Sequence, residues 1–349
     1  MMRALIIKKD NSGSPPSLVT TTVPIPEPQA DYVLVKIHAT AINPSDVLNA
    51  SGGFSHTSFP RIPGRDFSGI VESGPPMLKG KRVYGTSGNT LSFTMDGAHA
   101  EYCLVPYDAV TLMPQNLTFA QAATVGVPWT TAFIILQRSQ TLPSETVLVL
   151  GATGAVGSAA VQLARAKGCR VITASRRPTT DINILTDPEL SNAHVLTDGR
   201  GVDVVVDTIG DAALIRVALG ILAPRGRLAF ISASRSGSTE FSFDMKQLYR
   251  NEQCIVGCNS VSYTGQEMAT ILHTLTPEFE SGILTVIPDE DIVKVGLGEE
   301  AIAGYALVKG RSGKKVVISL VSLVERACMV TVCIGCIRRP LILGPSSFF

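Results

Sequence analysis

Residues 146–168 read TVLVLGATGAVGSAAVQLARAKG, and this stretch decides the fold. Its first part is a short run of valine and leucine, the pattern of a strand buried on both faces. Its last part spaces small and apolar residues as a helix does and stops at Gly168, a helix-ending residue. Between them, Ala152-Thr153-Gly154-Ala155-Val156-Gly157 has the spacing of the dinucleotide fingerprint, with Ala152 in place of its first glycine. A small residue allows the tight turn out of the strand. Gly154 lets backbone approach a pyrophosphate, and Gly157 lets the helix pack close to the sheet. The helix start at Ala155 and Val156 then turns free N–H groups and a partial positive charge toward the phosphates.

The next strand, CRVITAS, decides the cofactor. A site for NAD needs an acidic residue about 20 residues beyond the glycines, to accept from the ribose 2′-hydroxyl. Ser175-Arg176-Arg177 stands there instead, and the nearest acid is Asp181. Two guanidiniums and a hydroxyl suit a 2′-phosphate, so NADPH is the expected cofactor. The competing reading is a solvated basic loop end.

Working outward, VDVVVDTIG, DAALIRVALGILAPRG, RLAFISAS and EQCIVGCNS continue the alternation of strand and helix. That implies right-handed βαβ units and a doubly wound parallel sheet over residues 127–261. Residues 1–126 differ in character. RALIIKK, YVLVKIHA, FSGIVES, KRVYGTS and AHAEYCLV are short strand candidates between proline and glycine turns, the mark of a β-rich, barrel-like module. A helical pattern follows over TFAQAATVGVPWTTAFIILQRS. Residues 262–320 add two helices and the strand KKVVISL, and are expected to return to the first module. Residues 321–349 form an apolar, cysteine-rich tail. Glu325 and Arg326 interrupt it and leave a run too short for a span of about 20 residues.

A chain of 349 residues holds one large or two medium domains. Its 17% charged residues and net charge of +1 give no bias toward nucleic acid or a membrane surface. The opening MMRALIIKKD is too short for a secretory signal and reads as the first strand of an intracellular, cytoplasmic protein. Seven cysteines, an odd number, suit a reducing compartment. Cys333 and Cys336 form a CxxC without a second pair, which reads as accidental spacing. One stretch resists this inventory: AINPSDV, residues 41–47, breaks an apolar run with Asn43, Pro44, Ser45 and Asp46. A turn explains the proline but gives Asn43 no job.

The order of a β-rich module, NPSD, PGRD, AATVGVPWTTA and GATGAVGSAAVQLA resembles the medium-chain dehydrogenase/reductase superfamily. Within it, the chain is similar to the zinc-independent quinone oxidoreductase and enoyl reductase branch over residues 1–320. The resemblance implies a GroES-like catalytic domain beside a Rossmann domain, a small-molecule substrate and a homodimer. Zinc-dependent members place cysteine where Asn43 stands and Gly-His-Glu where Gly64-Arg65-Asp66 stands, so no zinc ligand set is expected here. Hydride transfer to a quinone or α,β-unsaturated carbonyl suits such a site, since it needs only positioning and donors aimed at the oxygen.

By the same resemblance, Asn43 lines the nicotinamide cleft as a metal-free donor, against a plain Asn-Pro turn. Thr130 and Thr131 resemble the helix start that faces the nicotinamide ribose. Ser232 and Ala233, and Asn259 and Ser260, end strands that contact the nicotinamide in relatives. Asp207 is read either as lying near the adenosine or as capping the next helix. Phe54, Phe93, Trp129 and Tyr84 are read as substrate-pocket walls or as core. Enoyl thioester reductases of the branch carry a tyrosine donor where Phe54 stands, which leaves protonation to solvent or to Tyr84. An NADPH-binding partner without redox turnover, an enoyl reductase of a biosynthetic intermediate and a zinc alcohol dehydrogenase are the alternative readings.

Overall fold

A computed structural model describes residues 1–9, 14–234, 238–310 and 312–320. The first module opens with β1 (Met2–Lys8), β2 (Ser17–Val23) and β3 (Tyr32–Ile42), then α1 (Pro44–Ala50), β4 (Asp66–Ser73) and β5 (Arg82–Gly85). After β6 (Tyr102–Pro106) and β7 (Thr111–Leu112), helices α2 (Phe119–Ala123) and α3 (Gly126–Arg138) lead into the second module. That module runs β8 (Thr146–Leu150), α4 (Ala155–Ala166), β9 (Arg170–Ser175), β10 (Ile182–Asn183), α5 (Ser191–Leu196) and β11 (Val202–Asp207). It continues with α6 (Ala212–Gly220), β12 (Leu222–Phe230), α7 (Met245–Arg250) and β13 (Cys254–Gly257). The described chain ends with α8 (Gly265–Glu280), β14 (Ile292–Val295), α9 (Glu299–Lys309) and β15 (Lys315–Ser319).

The second module is a parallel sheet in the order β10-β9-β8-β11-β12-β13. It starts in the middle at β8, winds out one way, then crosses back to β11. The order therefore reverses between β8 and β11, the place where such sheets bind ligands at their carboxyl ends. All residues of β8 and β11 are buried because both faces are covered. Val147, Val149, Val204 and Val206 face a core shared with α3, α4 and α8, while Leu148, Leu150 and Val205 face one shared with α5 and α6. That two-residue alternation is the strand geometry itself.

The first module is a mostly antiparallel sheet in the order β14-β15-β3-β4-β5-β7, with β6 also on β3 and the hairpin β1-β2 beside it. Alternate residues of β3, Val33, Val35 and Ile37, share an interior with Phe67 and Val83, while Ala39 and Ala41 face a second cluster with Val317. The chain after α8 rejoins this sheet, because β15 pairs antiparallel with β3. Helix α8 serves both modules: Phe279 meets Trp129 of α3, and the Ala269 carbonyl accepts from Thr111 Oγ1 of β7.

Two local expectations change. Residues 44–50 form helix α1 rather than a plain turn, and Pro44 suits a first helical position whose N–H lacks a partner anyway. The helical pattern over 118–139 is two helices, α2 capped by Thr118 and α3 beginning after a break at Thr124 and Val125. The readings of residues 321–349, Cys333 and Cys336 among them, lie outside the described residues. Among the described residues, no helix is long and apolar enough to cross a membrane.

Candidate active site

The β8–α4 turn is a backbone cradle. Gly151 adopts φ +80°, and a Cβ there would lie 2.4 Å from Thr208 Oγ1. A Cβ on Gly157 would come within 2.1 Å of the Gly151 carbonyl oxygen, whereas one on Gly154 would meet only that oxygen, at 3.3 Å. The tight-turn glycine is thus Gly151, one residue before the position assigned to Ala152, whose side chain is buried in the core. Gly154 is the exposed N-cap of α4, followed by exposed Ala155 and half-buried Val156. These features fit a dinucleotide, with open backbone where the pyrophosphate would lie.

Beyond β9, Arg176 and Arg177 are exposed. Ser175 is buried, and its hydroxyl accepts from Arg177 N at 2.9 Å and pairs with Thr180. Ser175 therefore shapes the turn that carries the two arginines. Asp181, the nearest acid, accepts from both the N–H and the hydroxyl of Thr173 at 2.7 Å. Asp207 is also corrected. It is fully buried, its oxygens accept from Ile209 N and Gly210 N, and Asp211 rather than Asp207 caps α6. It organises the β11–α6 turn. Burial pushes its carboxyl up to about 6, against the two N–H donors.

Ser232, Ala233 and Asn259 meet along a cleft of about 410 Å³ at the ends of β12 and β13, which Ile231, Cys258 and Tyr263 also line. Ser260 is not on that lining. Asn259 Oδ1 accepts from Val261 N and fixes the short turn there. On α3, Thr130 is buried and donates to the Gly126 carbonyl at 2.9 Å, so its hydroxyl is already committed. Among the described residues Thr131 Oγ1 is buried without a hydrogen-bond partner, which makes it the uncommitted hydroxyl of the pair.

Asn43 lies at the centre of a buried polar cluster. The side chain is 1% exposed, donates from Nδ2 to Asp66 Oδ2 at 2.8 Å and accepts at Oδ1 from Lys315 Nζ at 2.8 Å. Its own N–H donates to Asp46 Oδ2 at 2.7 Å. Asp66 Oδ1 accepts from Thr86 Oγ1 at 2.6 Å and from Val127 N at 2.8 Å, tying the first module to the start of α3. Gly126 is required there, since a Cβ would sit 2.2 Å from that oxygen. Arg65, 2% exposed, donates from Nε to Ser87 Oγ and lies over the Phe93 ring at 5.4 Å. Burial raises the Asp46 carboxyl to about 6 against the pull of Arg65, and burial works against the charges of Arg65 and Lys315 while Asp46 and Asp66 hold them. Asn43 is therefore a bridge between a carboxylate and an ammonium rather than an uncommitted donor.

Phe54, half-buried, meets buried Phe93 edge-on at 5.1 Å, and Phe93 is the ring that Arg65 lies over. Trp129 does not. It packs against Phe279 in the core between α3 and α8. Tyr84 is likewise removed from the site: its hydroxyl donates to the Leu272 carbonyl, pairs with Thr276, and burial pushes it up. A proton donor cannot be that deeply engaged with α8. Lys315, Thr86 and Ser87 were not foreseen from the sequence. The only available signal for Lys315 was a doubled lysine at the head of an apolar strand, 272 residues from its partner Asn43.

Two family profiles match, the alcohol dehydrogenase GroES-like domain over residues 29–115 and the zinc-binding dehydrogenase domain over 155–276. A "Zinc-type alcohol dehydrogenase-like protein" of Schizosaccharomyces pombe is 49% identical, covering 92% of this chain and 98% of its own. A mouse "Quinone oxidoreductase" is 29% identical over 91% of this chain and 98% of its own. A solved alcohol dehydrogenase superfamily protein from Novosphingobium aromaticivorans superposes with a TM-score of 0.79 at 23% identity, covering 92% of this chain and all of that one. The fold and the cradle define a two-module nicotinamide-dependent oxidoreductase. The chain belongs to the medium-chain dehydrogenase/reductase superfamily and is quinone oxidoreductase-like within it.

The zinc that one profile's name implies does not fit the donor set. Asn43 and Arg65 replace the thiolate and imidazole of the zinc-dependent members, and a guanidinium donates without accepting. His99, buried nearby, has Nε2 against the Ala41 carbonyl and Nδ1 against Tyr305 Oη. Among the described residues, no group of three His, Cys, Asp or Glu side chains is placed to hold a metal.

Proposed function

We propose that the chain is an NADPH-dependent, zinc-independent reductase of conjugated carbonyl acceptors, a quinone or an enone. The observation that carries this reading is the cluster around Asn43 and Arg65, where hydrogen-bond donors and cations stand at the ligand positions of zinc-dependent relatives. An acceptor whose double bond is already conjugated needs no Lewis acid. It needs a hydride at carbon and donors at the oxygen where charge collects. When bound, the reduced nicotinamide supplies that hydride. The mouse relative's name, quinone oxidoreductase, agrees with such acceptors.

The chain's own residues divide the remaining work. The Gly151–Gly157 turn holds the pyrophosphate, and Ser232, Ala233, Asn259 and Thr131 surround the nicotinamide half. Arg176 and Arg177 receive the 2′-phosphate, because Asp181 is bound to Thr173 and leaves them unopposed. Phe54 and Phe93 exclude water on the acceptor side.

The test is a panel of quinones and enones with NADPH or NADH, followed by loss of nicotinamide absorbance. NADPH oxidation that survives a chelator is expected. The Arg176→Glu, Arg177→Glu double variant should lose about tenfold or more in NADPH affinity with NADH affinity unchanged. Equal use of both cofactors by the unaltered protein, or loss of activity on chelation, would overturn the reading.

A further inference from the structure

Arg65 is buried, charged at any accessible pH, and oddly under-bonded. Of its five N–H donors, only Nε has a hydrogen-bond partner among the described residues, Ser87 Oγ at 2.7 Å. It forms no ion pair there either, although Asp46 and Asp66 are the charges that favour it. Asp46 Oδ1 is a second orphan, buried without a partner among the described residues. The guanidinium and the Asp46 carboxyl attract one another, yet no ion pair joins them among the described residues. A buried carboxylate oxygen left unmet is costly unless something else completes it, whereas no Arg65 nitrogen is among the fully buried atoms that lack a partner.

The surroundings favour an oxygen with an apolar body behind it. Phe93 lies under the guanidinium, and Phe54 stands edge-on to Phe93. The next residue, Asp66, bonds the first turn of α3, so Arg65 sits where the two modules meet. Ser87 holds Nε and the Phe93 ring lies 5.4 Å from the guanidinium carbon, which leaves the paired Nη donors without a hydrogen-bond partner among the described residues.

We propose that Arg65 is the oxyanion-binding catalytic residue: its Nη donors take the carbonyl oxygen of the acceptor. The proposal rests on the reductase reading above. Hydride adds to the conjugated carbon, the C=C pair moves to form the enolate, and the electrons of the carbonyl π bond come to rest on oxygen. Arg65 holds that oxyanion through two charge-assisted hydrogen bonds until water supplies the proton. Reduced nicotinamide is the reductant, and the acceptor is reduced by two electrons.

Two measurements on the full chain test this. The first needs no cofactor: 4-nitrophenol is titrated with protein and its phenolate band followed. The unaltered protein is expected to bind the phenolate, and the Arg65→Gln protein to bind it about tenfold or more weakly. The second is turnover, where Arg65→Gln should lower kcat/KM by about 100-fold with NADPH affinity unchanged. Should Arg65→Gln fail to fold, Arg65→Lys carries the same criterion, since an ammonium lacks the paired planar donors. Any folded Arg65 variant that binds the phenolate as tightly as the unaltered protein overturns the proposal, as does an unaltered protein that does not bind it. Phenolate binding that depends on Arg65 without turnover of any quinone or enone would uphold this assignment and sink the reductase reading instead.

Discussion

Compare the turn at residues 151–157 with the cluster around Asp66. The turn is seven contiguous residues whose function lies in what they lack: side chains at Gly151 and Gly157. The cluster draws residues 43, 66, 86, 127 and 315 from distant parts of the chain, and its function lies in polar groups that satisfy one another. One is a local backbone shape, stable wherever a strand meets a helix in that register. The other exists only when both modules are folded and joined. The difference teaches where each half is fragile. The cradle fails through added atoms and the cluster through removed ones.

The largest effect should come from breaking the cluster. Asp66→Ala strands Asn43 Nδ2, Thr86 Oγ1 and Val127 N, and leaves the Lys315 ammonium with its main counter-charge gone. Breaking a buried charged network in this way costs about 3–5 kcal/mol. Because Val127 opens α3, the loss should reach the nucleotide-binding module as well as the first one. Urea melts followed by circular dichroism check the magnitude. A destabilisation under about 1 kcal/mol would mean that the cluster is wet and not structural.

Gly157→Ala tests the cradle. Its methyl group would meet the Gly151 carbonyl oxygen at 2.1 Å, and backbone on both sides must separate to admit it. Overpacking of this kind costs about 1–3 kcal/mol, and the displaced turn should also weaken NADPH binding by about tenfold. Gly154→Ala, with its nearest contact at 3.3 Å, should show a smaller loss in both measurements. Equal losses for the two substitutions would break the claim that close packing, rather than ligand approach, fixes Gly157.

The same contrast explains what was legible in the sequence. The cradle could be read almost residue by residue, since its spacing is a local signal. The single slip, Ala152 for Gly151, came from fitting one intervening residue before Gly154 where the turn uses two. The alternation of strand and helix gave the parallel sheet for the same reason. Hydrogen bonds across the chain could not be read. Nothing near Thr130 says that its hydroxyl returns to Gly126 while that of Thr131 stays free. Tyr84 and Trp129 resemble pocket residues until α8 is seen to pack on both, and α8 lies more than 130 residues further on. A turn left Asn43 unexplained in the sequence, and the bond that engages its Oδ1 comes from Lys315 on the last described strand.

The mildest of these effects reads the cluster's charge rather than its presence. Burial lifts the Asp46 carboxyl to about 6 in the fold, from a value of 3.8. The folded state therefore binds a proton more tightly than the unfolded chain does. The stability this contributes is full below about pH 4 and is lost as pH rises through about 6. Asp46→Asn keeps a side-chain oxygen for the Asn43 N–H but removes the charge. It should match the unaltered protein at pH 4 and exceed it at pH 8, by about 2–3 kcal/mol at most. Denaturant midpoints at pH 4, 6 and 8 give the sign directly. If the unaltered protein is the more stable one at pH 8, then the attraction of Arg65 outweighs burial at Asp46. The two would then form a closed ion pair, which leaves no gap between them for a ligand oxygen.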